Sequence, residues 1–298
     1  MIDVLRTPDE RFAGLPGWSY EPRYEVLPEC GGLRMHYVDE GDPAAAEVFL
    51  CLHGQPTWSY LYRKMIPVYA AAGKRVVALD LFGFGRSDKP VDDEVYTFDF
   101  HRRSLVAFIE ALDLTAITLV VQDWGGILGL TLPMEMPERI RRLVLMNTGL
   151  TTGEAPLPPA FLAWREWSNA HPDMKIAGLM SRACPRLTPE ECAAYETPYP
   201  DVTYKGGVRR FPQLVPEHRD DDGAEVSRRA RDWLRDEWSG ESFMAIGMQD
   251  EILGPPAMNA LRRVVRGCPE PYEIAEAGHF VQEWGEEVAR RSLEAFSP

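Results

Sequence analysis

A chain of 298 residues has room for one large domain or two small ones. Hydrophobic residues make up 45% and charged residues 26%, the balance of a soluble globular protein with ample core material. The formal net charge of -14 argues against nucleic acid or an anionic membrane surface as partner and leaves neutral small molecules open.

The first ten residues lack the basic start and apolar run of a signal peptide, and no apolar run approaches the ~18 residues of a membrane span. Cys30, Cys51, Cys184, Cys192 and Cys268 are odd in number, with no C-x-x-C pair and no zinc spacing. The expectation is reduced thiols in a cytoplasmic protein without a metal site.

In chain order, residues 24–27 and 33–38 read as short strands around a Cys30-Gly31-Gly32 turn. Residues 48–52 are wholly apolar, as in a strand buried on both faces of a parallel sheet, and run into His53-Gly54-Gln55-Pro56. Helical spacing over 60–72 stops at Gly73, and a strand over 75–79 ends at Asp80. The glycines of the next loop make no dinucleotide fingerprint, because Asp88 stands where the third glycine belongs and Lys89-Pro90 follows instead of a helix. A helix is predicted over 100–112, a strand over 116–122, a helix over 125–136 that Pro133 should kink or shorten, and a strand over 142–146. The texture then changes: from 151 to 222 there is no buried-strand run, only helical patterns at 161–170, 175–183 and 189–195. Alternation resumes with helix 224–236, strand 243–247, helix 256–266, strand 272–275 and helix 286–295. This succession predicts an α/β fold with a mostly parallel, eight-stranded, doubly wound sheet. Residues 1–150 and 223–298 would form its core, and 151–222 a helical cap inserted after the sixth strand.

Ligands of such sheets bind beyond the carboxyl ends of the strands. The polar residues expected there are His53 to Gln55, Asp80, Asp123 with Trp124, Asn147, Asp250 and His279. The strand over 116–122 running into Asp123-Trp124-Gly125-Gly126 predicts a tight strand–turn–helix whose strained tip residue stands clear of both elements. Most enzymes with this turn place a serine there; this chain places an aspartate. Asp123, Asp250 and His279 follow the nucleophile–acid–base order of α/β-hydrolases. An imidazole deprotonates water near neutral pH, and a buried carboxylate behind it fixes the tautomer and stabilises the resulting cation. A lone aspartate after a strand is more often a helix cap and a lone histidine more often structural, but the glycines and the strand context weigh against that for Asp123. His53 is the rival base and reads as a loop-stabilising residue. Asp80 should tie its loop to backbone, and Asn147 cannot supply the acid's negative charge, which strengthens Asp250. His36, His101, His171 and His218 read as structural or exposed.

His53-Gly54-Gln55-Pro56-Thr57-Trp58-Ser59, Asp80-Leu81-Phe82-Gly83-Phe84-Gly85-Arg86-Ser87, Val121-Gln122-Asp123-Trp124-Gly125-Gly126 and Gly278-His279-Phe280 together resemble the haloalkane dehalogenases over nearly the whole chain. The Gln-Asp-Trp-Gly turn combined with Gly-His-Phe is the specific part; His-Gly-x-Pro occurs in many α/β-hydrolases. The resemblance implies an α/β-hydrolase fold, a monomer, no cofactor, and hydrolysis of a small halogenated aliphatic substrate by water to a primary alcohol, halide and a proton. Asp123 would form an alkyl ester, and His279, oriented by Asp250, would activate water to cleave it. The backbone N–H groups of Gln55 and Trp124 would hold the oxyanion of that second step. The indoles of Trp124 and Trp164 would hold the halide, with Trp167, three residues on, read as a packing aromatic. An epoxide hydrolase is the nearest rival; it would need two cap tyrosines, and Tyr195, Tyr199 and Tyr204 are available. A fluoroacetate-type enzyme would want an arginine beside the nucleophile, and a non-catalytic ligand-binding protein would have no need of the triad.

Overall fold

The computed structural model describes residues 2–297. Ten strands appear in chain order: β1 (Val4–Leu5), β2 (Arg23–Leu27), β3 (Leu33–Gly41), β4 (Val48–Leu52), β5 (Arg75–Leu79), β6 (Lys89–Pro90), β7 (Ile117–Gln122), β8 (Ile140–Met146), β9 (Glu241–Gly247) and β10 (Tyr272–Ile274). Eight of them form the main sheet, ordered β10-β9-β8-β7-β4-β5-β3-β2. From β5 across to β10 every pairing is parallel, while β3 runs antiparallel to both β5 and β2. The continuous apolar runs fall at the centre: β4 and β7 are buried at every position, as strands covered on both faces must be. The expected α/β sheet is therefore present, and the helical insertion follows β8, its sixth strand.

Ten α-helices accompany the strands: α1 (Ile66–Ala71), α2 (Phe98–Ala111), α3 (Asp123–Gly129), α4 (Pro159–Ala170), α5 (Ile176–Ala183), α6 (Pro189–Glu196), α7 (Gly206–Arg210), α8 (Ala224–Asp236), α9 (Pro255–Val264) and α10 (Gly285–Ala295). Several departures from the sequence reading have a local cause. The helix expected over 60–72 is a 3-10 turn at Ser59–Tyr62 followed by α1, because Pro67 lacks an N–H and is tolerated only in a first turn. The helix expected over 125–136 stops at Gly129: Pro133 cannot serve that carbonyl, and the Leu132 N–H bonds to it instead at 3.1 Å. β1 and β6 form a two-residue antiparallel ribbon, too short for any periodicity to announce it. Beyond α6, where no element was assigned from sequence, lie three single turns, Val202–Lys205, α7 and Phe211–Leu214.

A buried ionic cluster fastens the insertion to the sheet's loops. Arg63 donates to both carboxylate oxygens of Glu283 at 2.8 Å and to Glu191 of α6 at 2.8 Å. The hydroxyl of Tyr195, also on α6, donates to Glu283. Breaking one member would strand the others without water, so the cluster holds as a unit.

Candidate active site

β7 ends at Gln122, and Asp123 adopts φ +48°. In a residue with a Cβ such a backbone costs on the order of 1–2 kcal/mol and persists only where its surroundings impose it. Here they do. A Cβ on Gly125 would stand 1.9 Å from the Leu52 carbonyl oxygen, so only glycine lets α3 start this close to the end of β4. The Asp123 N–H donates to the Asn147 carbonyl at 3.1 Å, and the Thr148 hydroxyl donates to the Asp123 carbonyl at 2.8 Å. The turn thereby hangs from the end of β8, lies against the end of β4, and presents the carboxylate to a cavity.

One carboxylate oxygen, Oδ1, accepts the Gln55 N–H at 2.8 Å. A side chain at residue 54 would collide with it, since a Cβ there would lie 2.2 Å from Oδ1. The other oxygen, Oδ2, is 3.6 Å from His279 Nε2. On the far side of the ring, His279 Nδ1 is 2.8 Å from Asp250 Oδ2. Asp250 is itself held: its Oδ1 accepts the N–H groups of Ile252 at 2.9 Å and Leu253 at 3.1 Å, and Asn147 Nδ2 donates to its Oδ2 at 2.9 Å. Asp123, His279 and Asp250, expected from three distant points of the sequence, thus converge, with the Gln55 N–H on Asp123 Oδ1.

Charges follow from this geometry. Burial pushes the Asp123 carboxyl up, while the His279 ring and the N–H groups of Trp124 and Gln55 pull it back. Burial alone would lower His279, but Asp250 and then Asp123 outweigh it and raise the ring to about 9. Asp250 is buried too, yet His279, Asn147 and the Ile252 N–H hold its carboxyl well below the usual carboxylate range.

The cavity above Asp123 measures about 260 Å³ and is walled largely by apolar side chains, among them Ile127, Leu157, Phe161, Leu179, Val215 and Phe280. Trp124 and Trp164 both line it. Whereas Trp58 and Trp238 give their indole N–H groups to Ala194 O and Ser242 Oγ, those of Trp124 and Trp164 meet no protein acceptor among the described residues. Trp167 stacks on Trp164 at 5.5 Å and on His171 at 4.5 Å, and lines an outer groove instead of the cavity.

The rival residues are occupied elsewhere. His53 accepts the Leu81 N–H on Nε2 at 2.9 Å, so its Nδ1 carries the proton and donates to Gly54 O at 2.9 Å, leaving no lone pair for a substrate water. Asp80 accepts from Ser59 N–H at 2.7 Å, Arg86 N–H at 2.8 Å and His36 Nδ1 at 2.7 Å, and so ties its loop as expected. None of Tyr195, Tyr199 and Tyr204 lines the cavity, and no arginine does. An epoxide would find no phenol to protonate it, and a substrate carboxylate no guanidinium.

Two residues had no role assigned from sequence. Asn147, set aside there as unable to act as the acid, holds Asp250 in place: besides Asp250 it bonds Gly247 O at 3.1 Å and Gly247 N–H at 2.8 Å. Gln122, inside the recognised motif, lies 2.9 Å from His279 Nε2 through its own Nε2. The only signal was their place at a strand's end, which does not say what a side chain meets.

A family model described as alpha/beta hydrolase fold matches residues 47–175. A haloalkane dehalogenase of Psychrobacter cryohalolentis is 41% identical over 296 residues, spanning 97% of this chain and 96% of its own. The haloalkane dehalogenase 1 of Mycobacterium tuberculosis is also 41% identical over 296 residues, with 98% of each chain covered. The solved structure of the haloalkane dehalogenase DpaA from Paraglaciecola agarilytica NO2, described as tetrameric, superposes with a TM-score of 0.97 at 53% identity over 99% of both chains. Identity at this level over the full length carries the relationship well beyond shared architecture: the chain belongs to the haloalkane dehalogenase family.

Proposed function

We propose that this chain hydrolyses carbon–halogen bonds of small haloalkanes, with Asp123 as nucleophile, His279 as base and Asp250 as the acid that orients the base. The observation that carries the reading is the asymmetry of the Asp123 carboxylate: Oδ1 is held by the Gln55 N–H, while Oδ2 faces the cavity and His279. Oδ2 attacks the carbon in line, the C–O bond forms as the carbon–halogen bond breaks, and the halide leaves with the bonding pair. The indole N–H groups of Trp124 and Trp164 receive it; neutral donors suit this place because a cation would pair with Asp123 instead.

The ester has lost the carboxylate charge that helped hold His279 protonated, so the ring becomes a better base at the moment it is needed. It takes a proton from water, whose oxygen attacks the ester carbon. Negative charge then gathers on Oδ1, already facing the Gln55 N–H, with the Trp124 N–H to join it. Collapse releases the alcohol, restores the carboxylate and leaves one proton to pass to solvent.

In this reading residues 151–222 are the cap, supplying Trp164 and part of the apolar wall, on a core of 1–150 and 223–298. The tetramer described for the 53%-identical relative makes an assembly of several copies the state to test, in place of the monomer expected from sequence. Among the described residues no helix is long and apolar enough to cross a membrane. Five free cysteines favour a reducing, cytoplasmic setting. Halide release with acidification on adding 1,2-dibromoethane tests the function; no halide from a panel of bromo- and iodoalkanes would overturn it.

A further inference from the structure

Gln122 is fully buried, directly before Asp123, and its carboxamide lies beside His279 without a part in the mechanism above. Its nitrogen lies 3.1 Å from the His279 carbonyl oxygen and 2.9 Å from His279 Nε2, while its oxygen, also buried, has no partner. Turning the amide over would set Oε1 against the His279 carbonyl oxygen, two acceptors at contact distance, so the main chain of His279 fixes which way the amide faces. An N–H is then aimed at Nε2. A protonated Nε2 would meet it donor to donor; an unprotonated Nε2 accepts it.

We propose that Gln122 is a positioning residue for the base: its amide, locked by the His279 carbonyl, favours the neutral imidazole with the proton on Nδ1 by donating to the Nε2 lone pair, a bond that gives way when His279 takes a proton from water. The charged groups facing the ring, Asp250 from the loop after β9 and Asp123 from the turn after β7, both pull toward the imidazolium. Gln122, from the last position of β7, is the counterweight. It limits how far two carboxylates raise a ring that has to accept a proton, and the orphaned Oε1 is the cost of holding the amide this way round.

This inference rests on His279 acting as the base, and the experiment separates the two. Histidine NMR titration of parent and Gln122→Met, which needs no turnover, is paired with the pH dependence of ester hydrolysis. The latter is followed as decay of the Asp123 adduct by intact-mass spectrometry after a single round of alkylation by 1,2-dibromoethane. Losing one hydrogen bond to the neutral ring should raise the His279 midpoint by about half to one pH unit and move the acid limb of hydrolysis up equally. Alkylation, which does not use the base, should change less than about threefold. An unchanged His279 midpoint overturns the proposal. Should Gln122→Met fail to fold, the isosteric Gln122→Glu serves: its carboxylate accepts from the imidazolium and should raise the midpoint further, and no rise overturns the proposal equally. If the parent forms no adduct on Asp123, the hydrolytic reading falls, while the titration still decides what Gln122 does to His279.

Discussion

The two walls of the cavity are built differently. The floor, from the Asp123 turn to His279, is a closed hydrogen-bonded assembly: Asp123, Asn147, Asp250 and His279 each have at least two named partners, mostly backbone at strand ends. The opposing wall, α4 with Trp164, rests on ring stacking and partly exposed apolar contacts; of the twelve residues of α4 only Ser168 is buried. Asp123, His279 and Asp250 are thus placed by many short directional bonds, and Trp164 by a helix held mainly by packing, with the Arg165–Glu217 ion pair and the Gln213–Asn169 hydrogen bond at its edge. Changes to the floor should act on the chemical steps and changes to the wall on what the cavity holds.

The largest effect should come from the floor. His279→Gln should lower turnover by about a thousandfold or more while still permitting one alkylation, so intact-mass spectrometry should show an adduct on the peptide carrying Asp123. An unmodified variant after long exposure would contradict the two-step scheme.

On the opposite wall, Trp164→Phe removes one N–H donor to an anion and should weaken halide binding and slow turnover by about ten- to a hundredfold, with the melting temperature little changed. Trp167→Phe should cost less than about threefold. If halide quenching of tryptophan fluorescence weakened only in Trp167→Phe, the assignment of the wall would be reversed.

Asn147→Leu tests how much the floor depends on its supporting bonds. It leaves the Gly247 N–H and one Asp250 oxygen short of a partner, which should cost about 1–3 kcal/mol in chemical denaturation and slow ester hydrolysis more than alkylation. Equal slowing of both steps would mean that Asp250 stays in place without it.

The smallest effect concerns charge. His279 is raised above its unfolded value of about 6.5, so the stability its protonated form contributes is fully present below that pH and is lost as the pH rises through about 9. Asp123→Asn removes one of the two carboxylates responsible and should lower the His279 midpoint in an NMR titration, bringing that loss to lower pH. A midpoint that stayed put would leave Asp250 as the sole influence on the ring.

Much of this was legible in the amino acids. β4 and β7 announce themselves as continuous apolar runs because both faces are covered, and Asp123 announces itself because two glycines after a buried strand permit only a tight turn. α1 was read too long where Pro67 intervenes, since helical periodicity persists in a sequence after the backbone has stopped following it, whereas α3 is shortened before Pro133 as that proline led one to expect. The turns of 202–214 carried no signal at all; they are held by contacts with the rest of the molecule, not by local propensity.

The sequence by itself determined that the chain folds as a sheet with an aspartate at its sharpest turn and a histidine and a second aspartate at the ends of later strands. Alternating apolar runs, glycines and prolines act over a few residues and can be read one window at a time. Only the tertiary structure decided that the Asp123 carboxylate turns one oxygen to the Gln55 N–H and the other to His279, that His53 is spent on loop backbone, that Asn147 supports Asp250, and that the Gln122 amide faces His279 with its nitrogen. Each of these depends on which groups meet across β4, β7, β8 and β9, and hydrogen bonds, unlike periodicity, are settled over a few ångströms in space between residues far apart in the chain.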